Sequence, residues 1–89
     1  LGSAHPNPTT GRVTIGYSLA RQTVARMRVY SVAGRLIRTL LDVEQEAGPH
    51  EVVWDGRTNA GAGAGAGVYF YRLEAGGWSS EKKLIVLQR

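Results

Sequence analysis

The run Arg12-Val13-Thr14-Ile15-Gly16-Tyr17-Ser18-Leu19 alternates, with Val13, Ile15, Tyr17 and Leu19 on one side and Arg12, Thr14, Gly16 and Ser18 on the other. A period of two belongs to a β-strand with one buried and one wet face, whereas a helical stripe repeats about every 3.6 residues. Thr23 to Tyr30 repeats the pattern, with Ala25, Met27 and Val29 pointing one way and Arg26, Arg28 and Tyr30 the other. Ser31-Val32-Ala33-Gly34 follows as a turn in which Gly34 is free to take a positive φ. Leu36 to Leu41 reads as a third strand of undecided facing, Asp42 to Pro49 as a polar loop, and His50 to Trp54 as a short strand with Val52 and Trp54 inward. Val68-Tyr69-Phe70-Tyr71-Arg72-Leu73 is the most apolar segment and reads as a central strand covered on both faces. Trp78 to Leu87 supplies the last strand, densest at Leu84-Ile85-Val86-Leu87. Strands at this spacing, with turn signals between them and no helical stripe, predict an all-β antiparallel sandwich of about 6–7 strands.

A chain of 89 residues makes one small domain with a thin core. It divides into an extended lead-in over residues 1–10 and a single sandwich over 11–89. The absence of cysteine excludes disulfides, a thiolate zinc site and a cysteine nucleophile. No apolar run approaches the ~18–20 residues of a membrane-spanning helix. The net charge is +4, but the arginines are scattered and only Lys82-Lys83 is an adjacent pair. That distribution fits a solvated surface better than nucleic-acid binding, which calls for a basic cluster. A chain that begins at Leu1 rather than Met reads as excised or cleaved from a longer polypeptide.

The motifs argue for structure rather than chemistry. Pro6 and Pro8 cannot donate backbone hydrogen bonds, so Pro6-Asn7-Pro8 enters as an extended edge or lead-in, and Leu1 to Thr10 as a whole is expected to add few ladder bonds. Asp55 and Asn59 offer oxygen at a spacing that suits calcium, yet Arg57 sits where a calcium loop places another oxygen donor. A turn is the preferred reading. Gly61 to Gly67 reads Gly-Ala-Gly-Ala-Gly-Ala-Gly, either a flexible crossover or a silk-like strand whose small side chains allow close sheet approach. It has neither the spacing of a dinucleotide fingerprint nor the Lys-Ser/Thr end of a phosphate loop. His5, His50 and the four candidate serines Ser18, Ser31, Ser79 and Ser80 lack the strand–nucleophile–helix elbow of a hydrolase. The sequence therefore predicts no enzyme, no cofactor, no metal and no small-molecule substrate.

Four pieces in order carry a family pattern: Pro6-Asn7-Pro8, Val29-Tyr30-Ser31-Val32-Ala33-Gly34-Arg35, Trp54-Asp55-Gly56-Arg57 and Gly67-Val68-Tyr69-Phe70-Tyr71-Arg72-Leu73. Together they resemble the Ig-like domain of flagellar hook-capping proteins, and more closely the C-terminal sorting domain of the bacterial type IX secretion system. The chain departs from that pattern at Thr9, Ser31 and Ala64, which touch loops more than strands. The resemblance implies an Ig-like, fibronectin-III-like sandwich that is extracellular or on the cell surface. It also implies a non-catalytic module of a larger secreted protein, whose partners are export machinery or the parent's other domains. The segment Lys82, Lys83, Leu84, Ile85, Val86 and Leu87 is the expected recognition or edge strand. The expected core anchors are Ile15, Tyr17, Met27, Val29, Trp54, Tyr69 and Tyr71, since large side chains on one face of each strand bury the most area. A second reading is a subunit that self-associates into a homo-oligomer or filament, with Pro6, Asn7 and Pro8 as an assembly arm crossing to a neighbour. A third is a hook-capping accessory domain.

Overall fold

The alternating segments form seven strands in a computed structural model that describes residues 1–87, so the last two residues of the 11–89 span lie outside the described residues. They are β1 (Ala4–His5), β2 (Val13–Leu19), β3 (Thr23–Ser31), β4 (Leu36–Gln45), β5 (Gly48–Trp54), β6 (Gly67–Ala75) and β7 (Trp78–Val86). One sheet has the order β1-β2-β5 and the other β4-β3-β6-β7, with every neighbouring pair antiparallel. The chain changes sheet between β2 and β3, between β4 and β5, and between β5 and β6, which wraps it into an Ig-like sandwich.

Register explains the core. Val13 faces Trp54, Ile15 faces Val52 and Tyr17 faces His50 across β2 and β5. In the other sheet Met27 faces Leu73, Val29 faces Tyr71, and Tyr69 faces Leu84. Directly opposed residues share a face, so each rung delivers two side chains to the same interior. Ile15, Met27, Val29 and Trp54 are wholly buried, and Tyr17, Tyr69 and Tyr71 nearly so. Trp54 stands edge-on to Tyr69 with ring centres 5.6 Å apart, joining the two sheets. Burial of aliphatic side chains of this size contributes roughly 1.5–3 kcal/mol each.

Several segments depart from the sequence expectation. Asp42 to Gln45 continues β4, because Thr23, Val24, Ala25 and Arg26 of β3 supply it with partners, and only Glu46 and Ala47 remain as connection before β5. Pairing overrides the low strand propensity of acidic residues. β6 is central but covered on one face only: Tyr69, Tyr71 and Leu73 point in, while Val68 and Arg72 are exposed. The Gly61–Gly67 tract forms no silk-like strand, since positive φ at Gly61, Gly65 and Gly67 breaks the extended repeat. It is not a free crossover either, because Thr58 donates to Ala62, Ala64 donates to Gly56, and the Arg57 side chain holds the Gly61 carbonyl. The lead-in contributes more than a few bonds, as the next subsection details.

Candidate functional site

The two segments singled out as recognition strand and assembly arm meet in space, on one edge of the molecule. β7 is the last strand of its sheet, so alternate residues turn their N–H and C=O groups away from β6. Asn7 covers part of this edge with its side chain: its Nδ2 donates to the Lys83 carbonyl (3.1 Å), and its Oδ1 accepts from the Ile85 N–H (3.0 Å). An asparagine amide thus imitates a strand where the flanking Pro6 and Pro8 can donate nothing. Thr9 continues the cover by donating its N–H to Ile85 and accepting from Leu87, as a parallel bridge to Val86. Its buried hydroxyl closes the local turn, donating to the Arg12 carbonyl and accepting from Gly11.

The other end of the lead-in lies on the opposite sheet. Ala4 and His5 pair with Ile15 and Thr14, and Gly2 donates to the Gly16 carbonyl. At this β2 attachment the Tyr71 hydroxyl reaches out of the core, accepts the Ala4 N–H (2.9 Å) and donates to the Gly2 carbonyl (3.1 Å). Burial pushes the Tyr71 phenol above its usual range, while the bond from Ala4 works against that. Residues 1–10 therefore lace β2 to β7 and close part of one flank of the sandwich.

Each predicted anchor with a polar tip performs a similar second task. Tyr17 donates to Gln45 at the end of β4 and stacks on His50. Tyr69 lies within reach of the Ala64 and Gly65 carbonyls of the Gly-Ala tract. The Trp54 Nε1–H holds the Arg57 carbonyl at 2.9 Å. Ile15, Met27 and Val29 supply packing alone.

Within the predicted strand Lys82-Leu87, Leu84 and Val86 point inward, Ile85 is partly covered, and Lys82, Lys83 and Leu87 are exposed. The sequence reading weighed Asn59 only as a turn residue or calcium donor and missed its place along β4, where its N–H donates to Ile37 and its Oδ1 accepts from Thr39. An Asn beside a glycine-rich tract signals a turn, and nothing local announces which strand its side chain will meet. Asp55 Oδ1 accepts from the Arg57 N–H and pairs with Arg38, so the oxygens weighed for calcium are engaged in closing the turn. His50 Nε2 lies 2.8 Å from the Glu46 carbonyl. Among the described residues no group of three or more His, Cys, Asp or Glu side chains is placed to hold a metal ion.

A family profile described as the FlgD Ig-like domain matches residues 6–79. Dimeric latent PorU from Porphyromonas gingivalis is structurally similar, with a TM-score of 0.77 and 25% identity over 98% of this chain and 9% of that one. PorZ, a surface component of the type-IX secretion system of the same organism, superposes with a TM-score of 0.67 and 23% identity over 97% of this chain and 11% of its own. The chain thus corresponds to a small part of either protein. No curated protein matches it.

Proposed function

The chain belongs to the FlgD Ig-like domain family, and from its likeness to PorU and PorZ we propose that it serves as a non-catalytic module of a larger protein exported by type IX secretion. In this reading it is of the C-terminal sorting type, its setting is extracellular or the cell surface, and its partners are the export machinery or the parent's other domains. The observation that carries the proposal is the fit of nearly the whole chain, 98% at a TM-score of 0.77, onto a domain-sized piece of PorU. Side-chain usage supports a non-catalytic role, because His50, Asp55, Asn59 and the buried tyrosines all spend their polar atoms on holding loops and strands. β7 is the recognition element, with Lys82, Lys83 and Leu87 on its surface and Leu84 and Val86 fixing it to the core.

The test is a fusion of residues 1–89 behind a reporter in a bacterium with a working type IX system. The expected result is reporter at the surface or in the medium, and retention in the periplasm when β7 is scrambled outside Leu84 and Val86. A reporter that stays inside with the intact module would overturn the reading. The alternative of a self-assembling subunit requires Pro6, Asn7 and Pro8 to leave the chain's own β7 for a neighbour's.

A further inference from the structure

The lead-in closes only part of its flank. β1 ends its pairing with β2 at Ala4, and the Gly2–Gly16 bond is the last rung before the chain begins. Because N–H and C=O groups alternate in direction along a strand, Ser18 points its pair to the same side as Gly16, where among the described residues no strand is paired with it. Beside Ser18 the two sheets part into a cleft of about 510 Å³, lined among others by Leu19, Ala20, Arg21, Ala75 and Trp78. Of its lining, Leu19 is buried, Ala75 is half-buried, and Trp78 is 48% exposed. An exposed large aromatic lining a cleft beside an unpaired stretch of strand is a surface that further extended chain fits.

We infer that this cleft takes an extended segment that prolongs β1 along β2, and that the segment is the polypeptide joined to Leu1 in the parent protein. The inference rests on the reading of the chain as a module of something larger, and PorU and PorZ, in which it matches 9% and 11% of the length, carry the corresponding piece within much longer chains. Direction supports it. β1 runs antiparallel to β2, so chain entering at Leu1 comes from the side of Leu19 and Ser18. Register supports it as well. Ala4 lies opposite Ile15 while Gly2 bonds to Gly16, so the register shifts by one residue at Ser3; counted from the Gly2–Gly16 bond, Leu1 falls beside Tyr17, whose side chain points inward, and Leu1 does pack against the core. The residue before Leu1 then lies beside Ser18 and faces out, and the second residue before it lies beside Leu19 and faces Ala75 and Trp78. At about 3.3 Å per residue, three residues reach from Ser18 to Ala20. The fitting segment is β-prone, apolar at the second position before Leu1, and best completed by an acidic residue near Arg21. Docked this way, the junction between module and passenger is a strand rather than a loose tether.

The chain has no cysteine, which makes cross-linking a clean test. In a chain extended by Thr-Val-Thr before Leu1, cysteine at the second added position paired with Ala75→Cys should close an intramolecular disulfide on oxidation, because bridging requires Cα atoms within about 7 Å. Cysteine at the position next to Leu1 should not. Without cysteines, the Thr-Val-Thr extension should slow Ser18 amide exchange about tenfold relative to a Gly-Ser-Gly extension, and should shift Trp78 emission to shorter wavelength. Equal cross-linking from the two positions, or equal exchange with the two extensions, would overturn the inference. Both readings are made on the purified chain, so their failure leaves the export assay standing, and failure of export leaves them standing.

Discussion

Tyr71 serves the interior and the surface with one side chain: its ring is buried against the core, while its hydroxyl holds Gly2 and Ala4. Tyr71→Phe keeps the ring and strands the Ala4 N–H, a buried donor whose loss of partner costs about 1–3 kcal/mol. The expected result is a lower denaturant midpoint together with faster exchange of the Ala4 amide. A lower midpoint with Ala4 still protected would place the hydroxyl's contribution elsewhere. Trp54→Ala is a harsher change, since the indole is wholly buried, meets Tyr69 edge-on and donates to Arg57. It should cost ~3–5 kcal/mol, a large share of a small domain's stability, and a thermal melt unchanged from the parent would remove Trp54 from its keystone role. Inward-facing residues such as these were legible in the sequence, because alternation states the face directly. The partners of the tyrosine hydroxyls were not, since Gly2, Gln45 and Ala64 sit 69, 28 and 5 residues away and no pattern links them.

At the scale of the element, both outer strands of the four-stranded sheet have an asparagine lying along their edges, Asn7 on β7 and Asn59 on β4. Unpaired edges invite another chain, and the segment Leu84-Ile85-Val86-Leu87 is apolar enough to accept one. Asn7→Ala frees the Ile85 N–H and the Lys83 carbonyl. It should cost about 1–2 kcal/mol and produce concentration-dependent association by light scattering, with Asn7→Asp intermediate because it keeps the acceptor alone. Equal monomer content in all three would show that Thr9 suffices to guard the edge. On the wet face of the same sheet, Arg28 donates to Glu74 and holds its carboxyl below the ordinary value of 4.5. A carboxyl depressed in the folded state lends stability that is present above that ordinary value and is lost as pH falls through the lower folded one. Glu74→Gln should therefore weaken the protein slightly at neutral pH and progressively less as pH falls through the lowered value, the effect staying small because the pair is partly exposed. Strand existence was readable here, but the length of β4 was not: Asp42 to Gln45 becomes strand only because β3 lies beside it.

For the whole molecule, the decisive contact is the one that joins the first residues to the last described strand. Residues 1–10 run from β2 in one sheet to β7 in the other, with Tyr71 of the second sheet fastening their β2 end through Gly2 and Ala4. A short sandwich with a thin core gains more from such a lace than a large one does, since its buried area per residue is small. The composition had marked this stretch only as proline-rich and extended; that it spans both sheets depends on contacts with residues up to 78 positions away. Deleting Leu1–Pro8 uncovers the β7 edge, exposes the Tyr71 hydroxyl's pocket and removes Ala4 from the core. The shortened chain should lose about 2 kcal/mol or more and associate through β7, while the intact chain at the same concentration stays monomeric by size-exclusion chromatography with light scattering. The opposite pattern, fibres from the intact chain that vanish on deletion while the folded circular-dichroism spectrum survives, would mean that the lace is exchanged between copies rather than tied within one. Adding a synthetic peptide of Leu1–Thr10 to the shortened chain separates the cases further. If the lace belongs to its own sandwich, the peptide should restore the monomer by filling the edge it left; if copies exchange it, the free peptide should end fibre growth in the intact chain by occupying each acceptor.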